Sequence, residues 1–384
     1  MPEVRKIVIV GPAHPLRGGG MSTFNERLAK AYSDRGEDVE IFSFSMQYPS
    51  ILFPGKSQFT DEPAPEGIHI NSTINSVNPV SWIKTGRRIR KLNPELVIIR
   101  YWIPFMGPSL GCIARKIRKN KKTRIIAITD NVIPHEKRPG DKAFTRYFLK
   151  PIHGFITMSK SVMDDLNLFD TKKPKSLCLH PLYDNYGAAI SRKEALDLLG
   201  LPAEHKYLLF FGLVRKYKGL DLLIRALASE KLRNLPLKLI VAGEFYDDFE
   251  AYRKLVEELG VYDKVIMNNE FIQNAEVQRY FCAGDLVVQP YRDATQSGVT
   301  QVAYHFDKPM VVSNVGALPE MVPDGKVGYV VRPEPEAIAE AIREYFDGNK
   351  EQEFTENVKT EKKKYSWDIF LKAIDDLAEE TGTA

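Results

Sequence analysis

Short apolar runs and amphipathic stretches alternate along the chain. Lys6–Val10 is apolar and stops at Gly11-Pro12, as a strand buried on both faces does. A glycine loop, Gly18-Gly19-Gly20, follows it. Ser22 or Thr23 is placed to cap a helix over 24–35, which Gly36 ends. Residues 39–44, 97–99, Arg124–Thr129 and 154–158 read as further strands. Between them Trp82, Ile83, Gly86, Ile89 and Leu92 recur at helical spacing, as do Leu110, Ile113, Ala114 and Ile117. After a polar, aromatic linker over 181–192 the alternation restarts. Strands are predicted at 207–211, 238–242, 264–267, Leu286–Gln289 and Met310–Ser313. Helices are predicted at Leu220–Leu227, 248–259, 275–282 and 297–305, with an amphipathic helix at 367–377.

Repeated β–α units predict an α/β protein with parallel, doubly wound sheets. At 384 residues the chain exceeds one ordinary core. Two Rossmann-like domains are expected, 1–185 and 186–384, the second carrying the C-terminal helix. Ligands of such sheets bind at the carboxyl ends of the strands. Composition adds little: 43% hydrophobic and 27% charged residues are ordinary for a folded protein. No run approaches the roughly 18–20 apolar residues of a membrane span, and the start lacks the features of a signal peptide. Cys112, Cys178 and Cys282 are scattered, as buried thiols in a reducing compartment are, so the cytoplasm is the expected location.

Charge is uneven. Residues 1–185 hold 29 Lys+Arg against 17 Asp+Glu, a balance of +12, and the remainder holds 25 against 33, or −8. Segment 81–124 alone carries 13 basic residues and one acid, Glu95. Such a half meets something anionic or is simply a solvated surface. No nucleic-acid module accompanies it.

The segment richest in chemistry is Phe211-Gly212-Leu213-Val214-Arg215-Lys216-Tyr217-Lys218-Gly219. A strand ends, cations cluster in a short loop, and a helix begins. Lys and Arg beside helix N-termini neutralise phosphates, and without a metal they can stabilise a departing diphosphate. No Asp-x-Asp pair occurs, and no metal site is expected.

With Val241-Ala242-Gly243-Glu244, Phe271-Ile272, the run Ala283-Gly284-Asp285 through Gln289-Pro290-Tyr291, and Lys308-Pro309 through Gly316-Ala317-Leu318-Pro319-Glu320, this segment resembles the donor domain of family 4 retaining glycosyltransferases (glycosyl transferases group 1). The glycine loop and Thr129-Asp130-Asn131-Val132-Ile133-Pro134-His135-Glu136 resemble its first half. The resemblance implies the GT-B architecture, two facing Rossmann-like domains with a cleft between them. It also implies transfer of a hexosyl-type group from a nucleotide-sugar such as a UDP- or GDP-sugar, with retained configuration, no bound metal and no cofactor. It assigns Arg215 and Lys218 to the diphosphate, Lys218 more securely because the arginine lies three residues beyond its usual place. Gly18, Gly19, Gly20 and Gly212 meet the donor phosphates, and Phe271 and Ile272 the nucleobase.

Two departures follow. The family's pair of glutamates eight apart is replaced: one alignment gives Asp293 and Gln301, another Ala294 and Val302. Gln301 can still bond a ribose, and Gln296, Ser297 and Gly298 can hold the donor sugar from a helix start. The family's N-domain histidine is replaced by Asp130, so either Asp130 or His135 lies near the reacting sugar. Glu320 is expected as a helix-start acid, and Tyr101-Trp102 either line the acceptor side or fill the core. The expected acceptor is a lipid-linked or cell-surface glycan precursor in polysaccharide biosynthesis, with peripheral contact to an anionic membrane through 81–124. A catalytically weak nucleotide-sugar-binding protein of the same fold is the alternative. An oxidoreductase is not, since Gly11-Pro12-Ala13-His14-Pro15-Leu16-Arg17-Gly18 is no dinucleotide fingerprint.

Overall fold

The computed structural model describes residues 4–18, 20–49, 57–134, 138–294 and 297–382. Two compact units divide them: 1–181 with 365–384, and 182–364.

The first unit is built on seven parallel strands: β1 (Lys6–Val10), β2 (Asp38–Met46), β3 (His69–Asn75), β4 (Leu96–Tyr101), β5 (Arg124–Thr129), β6 (Gly154–Thr157) and β7 (Lys175–Leu177). Their order is β3-β2-β1-β4-β5-β6-β7. Strand order reverses between β1 and β4, and that is where a doubly wound sheet opens a ligand crevice. The connecting helices are α1 (Met21–Asp34), α2 (Pro79–Leu92), α3 (Gly107–Ile117), α4 (Asp141–Leu149) and α5 (Lys160–Asn167). Ile7, Val8, Ile9 and Val10 are fully buried between the helix layers, which is why β1 reads as an unbroken apolar run. Helix α1 begins earlier than its capping signals predict. Gly20 occupies the N-cap at positive φ, and Ser22 and Thr23 are buried inside the helix instead of capping it. Polar β3 and amphipathic α4 and α5 add to the elements visible in the sequence.

The second unit carries α6 (Arg192–Leu199), β8 (Lys206–Phe211), α7 (Leu220–Leu227), β9 (Leu237–Ala242), α8 (Phe249–Glu258), β10 (Val265–Asn268), α9 (Val277–Ala283), β11 (Leu286–Gln289), α10 (Gly298–His305), β12 (Met310–Ser313), α11 (Leu318–Met321), β13 (Gly328–Val331), α12 (Pro335–Asp347) and α13 (Glu351–Glu361). The sheet is parallel in the order β10-β9-β8-β11-β12-β13, with its reversal between β8 and β11. Buried Asp285 ties the base of this unit. Its carboxylate takes two bonds from Arg192, each 2.8 Å, and one from Tyr207 N–H at 2.7 Å.

The last helix, α14 (Trp367–Glu380), corrects the expected domain division, for it belongs to the first unit. Trp367, Phe370, Leu371, Ile374 and Leu377 form its buried stripe. The rings of Trp367 and Phe370 lie 5.2 and 5.5 Å from that of Phe24 in α1. Arg5 anchors Asp375 at 2.6 Å, and Arg35 reaches Asp368 at 3.1 Å.

Candidate active site

In the second unit the loop after β8 and the start of α10 meet at the strand-order reversal. Gly212 turns the chain at φ +93°, and a Cβ there would stand 3.2 Å from Lys218 Nζ and 3.7 Å from a Val299 methyl. Lys218, Gly212 and the first turn of α10 therefore share one spot. Gly243, at φ +150°, packs so closely that a Cβ would fall 2.2 Å from Gly212 O, so the loop is held backbone to backbone. Val214 N–H donating to Glu244 O at 2.9 Å continues that tie.

Lys218 is half-buried, 5.8 Å from the Tyr291 ring centre. It has no carboxylate partner among the described residues. Burial, and secondarily the charge of Arg215, hold its ammonium down at a pKa of about 8. Arg215 lies over the Tyr246 ring at 4.8 Å and likewise lacks a carboxylate among the described residues. Helix α10 has no acid in its first turn, and its N-cap Ser297 makes no side-chain cap to the opening N–H groups, which suits an anion there. Lys218 beside that helix start, with Arg215 near enough to act on its charge, forms an anion site that suits a diphosphate in charge.

The neighbouring residues take different places. Ser297 donates its hydroxyl to Gln289 Oε1 at 2.6 Å and is buried, so it serves the scaffold while its backbone begins α10. A Cβ on Gly298 would strike the Tyr183 ring at 2.9 Å. Gln301 is 0% exposed, and neither of its amide atoms finds a partner among the described residues. Phe271 and buried Ile272 follow β10 on the same carboxyl edge, three strands from the reversal. Glu320 is exposed in the first turn of α11, as a helix-start acid is. Gln296 lies outside the described residues.

In the first unit, Asp130, one of the two candidates for the place near the reacting sugar, is held in a buried ion pair. Arg100 grips it through Nε at 2.5 Å and Nη2 at 2.6 Å, and both residues are buried. The Phe24 ring lies 4.0 Å from the same guanidinium, and buried His180 packs edge-on against Phe24. Burial, aided by the charge of Arg100, pushes the His180 imidazole down to about 3, so it is neutral. A cation near the end of an otherwise apolar strand was the available signal for Arg100. Gly18 and Gly20 flank the start of α1, while Gly19 and His135 lie outside the described residues. Tyr101 and Trp102 are core residues, with Tyr101 stacked on Phe148 at 4.2 Å.

Comparison with known proteins bears on this geometry. Residues 205–347 match the family model described as glycosyl transferases group 1. An uncharacterized glycosyltransferase of Methanocaldococcus jannaschii is 29% identical over 56% of this chain and 57% of its own length. A D-inositol 3-phosphate glycosyltransferase of Thermobifida fusca is 25% identical over 82% of this chain and 77% of its own. The chain thus spans little more than half of the first relative. The Anabaena protein HepE, solved in complex with UDP and glucose, superposes with a TM-score of 0.73 at 15% identity, covering 99% of this chain and 100% of that one. Two parallel Rossmann-like sheets of the GT-B glycosyltransferase fold thus make up this chain, and over residues 205–347 it carries the sequence signature of the group 1 glycosyl transferases.

Proposed function

We propose that the protein is a metal-independent, retaining glycosyltransferase that transfers a hexosyl group from a nucleoside diphosphate sugar. The observation that carries this reading is Lys218 at the start of α10 with Arg215 close by, neither having a carboxylate partner among the described residues. During transfer the bond from the anomeric carbon to the diphosphate breaks, the acceptor oxygen takes its place, and the acceptor's proton leaves with the diphosphate. Lys218 and the α10 N–H groups meet the charge that grows on the leaving oxygen, which replaces a divalent ion. That HepE is solved with UDP-glucose supports a donor of this class. Calorimetric titration with UDP-, GDP- and ADP-sugars, followed by transfer assays with the donor that binds, tests the proposal. Binding without transfer or hydrolysis would favour a nucleotide-sugar-binding protein, a reading suggested by the locked carboxylate of Asp130.

The acceptor belongs to this proposal as a lipid-linked or cell-surface glycan precursor. Its support is the layer formed by α2, α3 and α4, in whose sequences Asp141 is the one acid. Lys84, Arg87, Arg90, Lys91, Lys119, Lys121 and Lys122 are exposed there with no carboxylate partner among the described residues. Helix α4 adds Phe144 and Tyr147, 41% and 39% exposed, beside Lys142, Arg146 and Lys150. Arg115 covers one face of the Tyr147 ring at 3.6 Å, which leaves that face closed to a stacked base. Cations around exposed aromatic rings suit the interface of an anionic bilayer, at about 1 kcal/mol for each charge within reach. No helix among the described residues is long and apolar enough to cross a membrane. Flotation with anionic vesicles at low salt should capture the protein, and high salt should release it. Failure to float at low salt would reduce these charges to a solvated face.

A further inference from the structure

Apart from a β-bridge between Leu16 and Phe59, the described residues of the loop between β1 and α1 lie outside helix and strand, yet side chains hold their backbone at successive atoms. Asn25 Nδ2 donates to Pro12 O at 2.8 Å. Ser43 Oγ accepts from Ala13 N–H and donates to Ala13 O, both at 2.9 Å. Ser72 Oγ donates to His14 O at 3.4 Å, and Glu26 Oε1 accepts from His14 N–H at 2.7 Å. Backbone from 58–62 closes the other side, with Arg17 N–H donating to Gln58 O at 2.9 Å and Thr60 N–H to Pro15 O at 3.0 Å. Of Asn25, Ser43, Ser72 and Glu26, only Glu26 can change its charge. It also sits on α1, whose N-cap is Gly20, so one helix fixes the loop near its head and its tail.

We propose that Glu26 is a positioning residue for the glycine loop: its ionised carboxylate holds His14 N–H and keeps Gly18 and Gly20, at the two ends of the described loop, placed to receive the donor. This rests on the reading that the loop meets the donor phosphates. An N–H bonds an ionised acceptor about twice as strongly as a neutral one. Burial, and the nearby charge of Glu62, raise the Glu26 carboxyl to about 7 against the pull of the His14 N–H, so the grip changes within the neutral range. Glu62, from the 58–62 segment, and the His14 ring, with Nε2 3.0 Å from Glu62 O, are the titratable groups facing it.

Folding and grip respond to pH in opposite directions. The folded pKa lies above the unfolded one, so between about 4.5 and 7 the native state binds the extra proton and gains stability as pH falls. Over the same interval the loop loosens. The probe is UDP-glucose, whose diphosphate does not titrate there, with selective ¹⁵N-histidine labelling to follow the His14 amide. In the wild-type protein the protection factor of that amide should fall between pH 7.5 and 5.5, and UDP-glucose affinity should weaken about five-fold. Glu26→Gln should show the weaker affinity throughout and a flat protection factor. Glu62 and His14 both remain in that variant, so any pH dependence that survives does not belong to Glu26. A purely structural Glu26 would change stability and leave both pH profiles as they were. Unchanged His14 protection in the wild type overturns the proposal. If protection responds while UDP-glucose fails to bind at any pH, the positioning of the loop stands and the donor reading of it fails.

Discussion

Replacing Lys218 with Met should make the protein more stable while sharply lowering its activity. Burial and Arg215 lower the ammonium from its ordinary 10.5 to about 8. That displacement corresponds to about 3 kcal/mol spent holding the charge in the folded chain, nearer 2 kcal/mol once the solvent still reaching it is allowed for. Met keeps the stem and drops the charge, so the variant should melt higher at pH 7 by about 5 °C. The sign of the pH dependence follows. Between about 8 and 10.5 the unfolded chain binds the proton that the folded one has lost, so wild-type stability should climb across that window. In the variant the climb should be absent. Turnover should fall by roughly two to three orders of magnitude, the loss of one preorganised electrostatic contact. Differential scanning calorimetry from pH 7 to 10, paired with donor turnover, measures both. A variant that melts lower than wild type at pH 7 would mean the ammonium has a partner, and the argument for an open anion site would fall.

Gln301→Leu should likewise stabilise the unliganded protein by about 1–3 kcal/mol, since both buried amide atoms lack partners among the described residues; calorimetry should show whether it also weakens nucleotide binding, as a ribose contact requires. If that variant is less stable and binds nucleotide unchanged, the amide serves the fold. Asp130→Ala should cost about 3–5 kcal/mol by leaving Arg100 charged, buried and alone, and a denaturant melt no different from wild type would contradict the paired geometry. Transfer activity should be indifferent to EDTA, and a loss restored by manganese or magnesium would replace Lys218 as the charge carrier.

The two sheets were legible because parallel strands buried on both faces leave unbroken apolar runs: β1, β5, β11 and β12 lie where those runs lie. Strand β3 was not, because its sequence His-Ile-Asn-Ser-Thr-Ile-Asn is polar on an edge with little to bury. The cations of the β8–α7 loop were visible from sequence; their want of partners was not, since only packing shows which charges are neutralised. Asp130 makes the converse case. Its motif named it a candidate near the reacting sugar without naming its partner: Arg100 stands thirty residues earlier, and only adjacent parallel strands bring the two together. Helix α14 was correctly periodic and wrongly assigned, because amphipathicity tells that a face is buried and not against what.

The placement of α14 governs how the molecule can be made. A ribosome has synthesised every strand of the first sheet by residue 177, yet the helix that covers Phe24 comes only after another complete unit has been made. At about 5–20 residues per second that interval is roughly ten to forty seconds. Throughout it the nascent first unit carries an uncovered apolar stripe, while the second unit is free to fold without waiting. The earlier-born half is therefore the later to mature. A fragment ending at residue 181 would aggregate where a synthetic peptide of residues 365–382, added in trans, would rescue it.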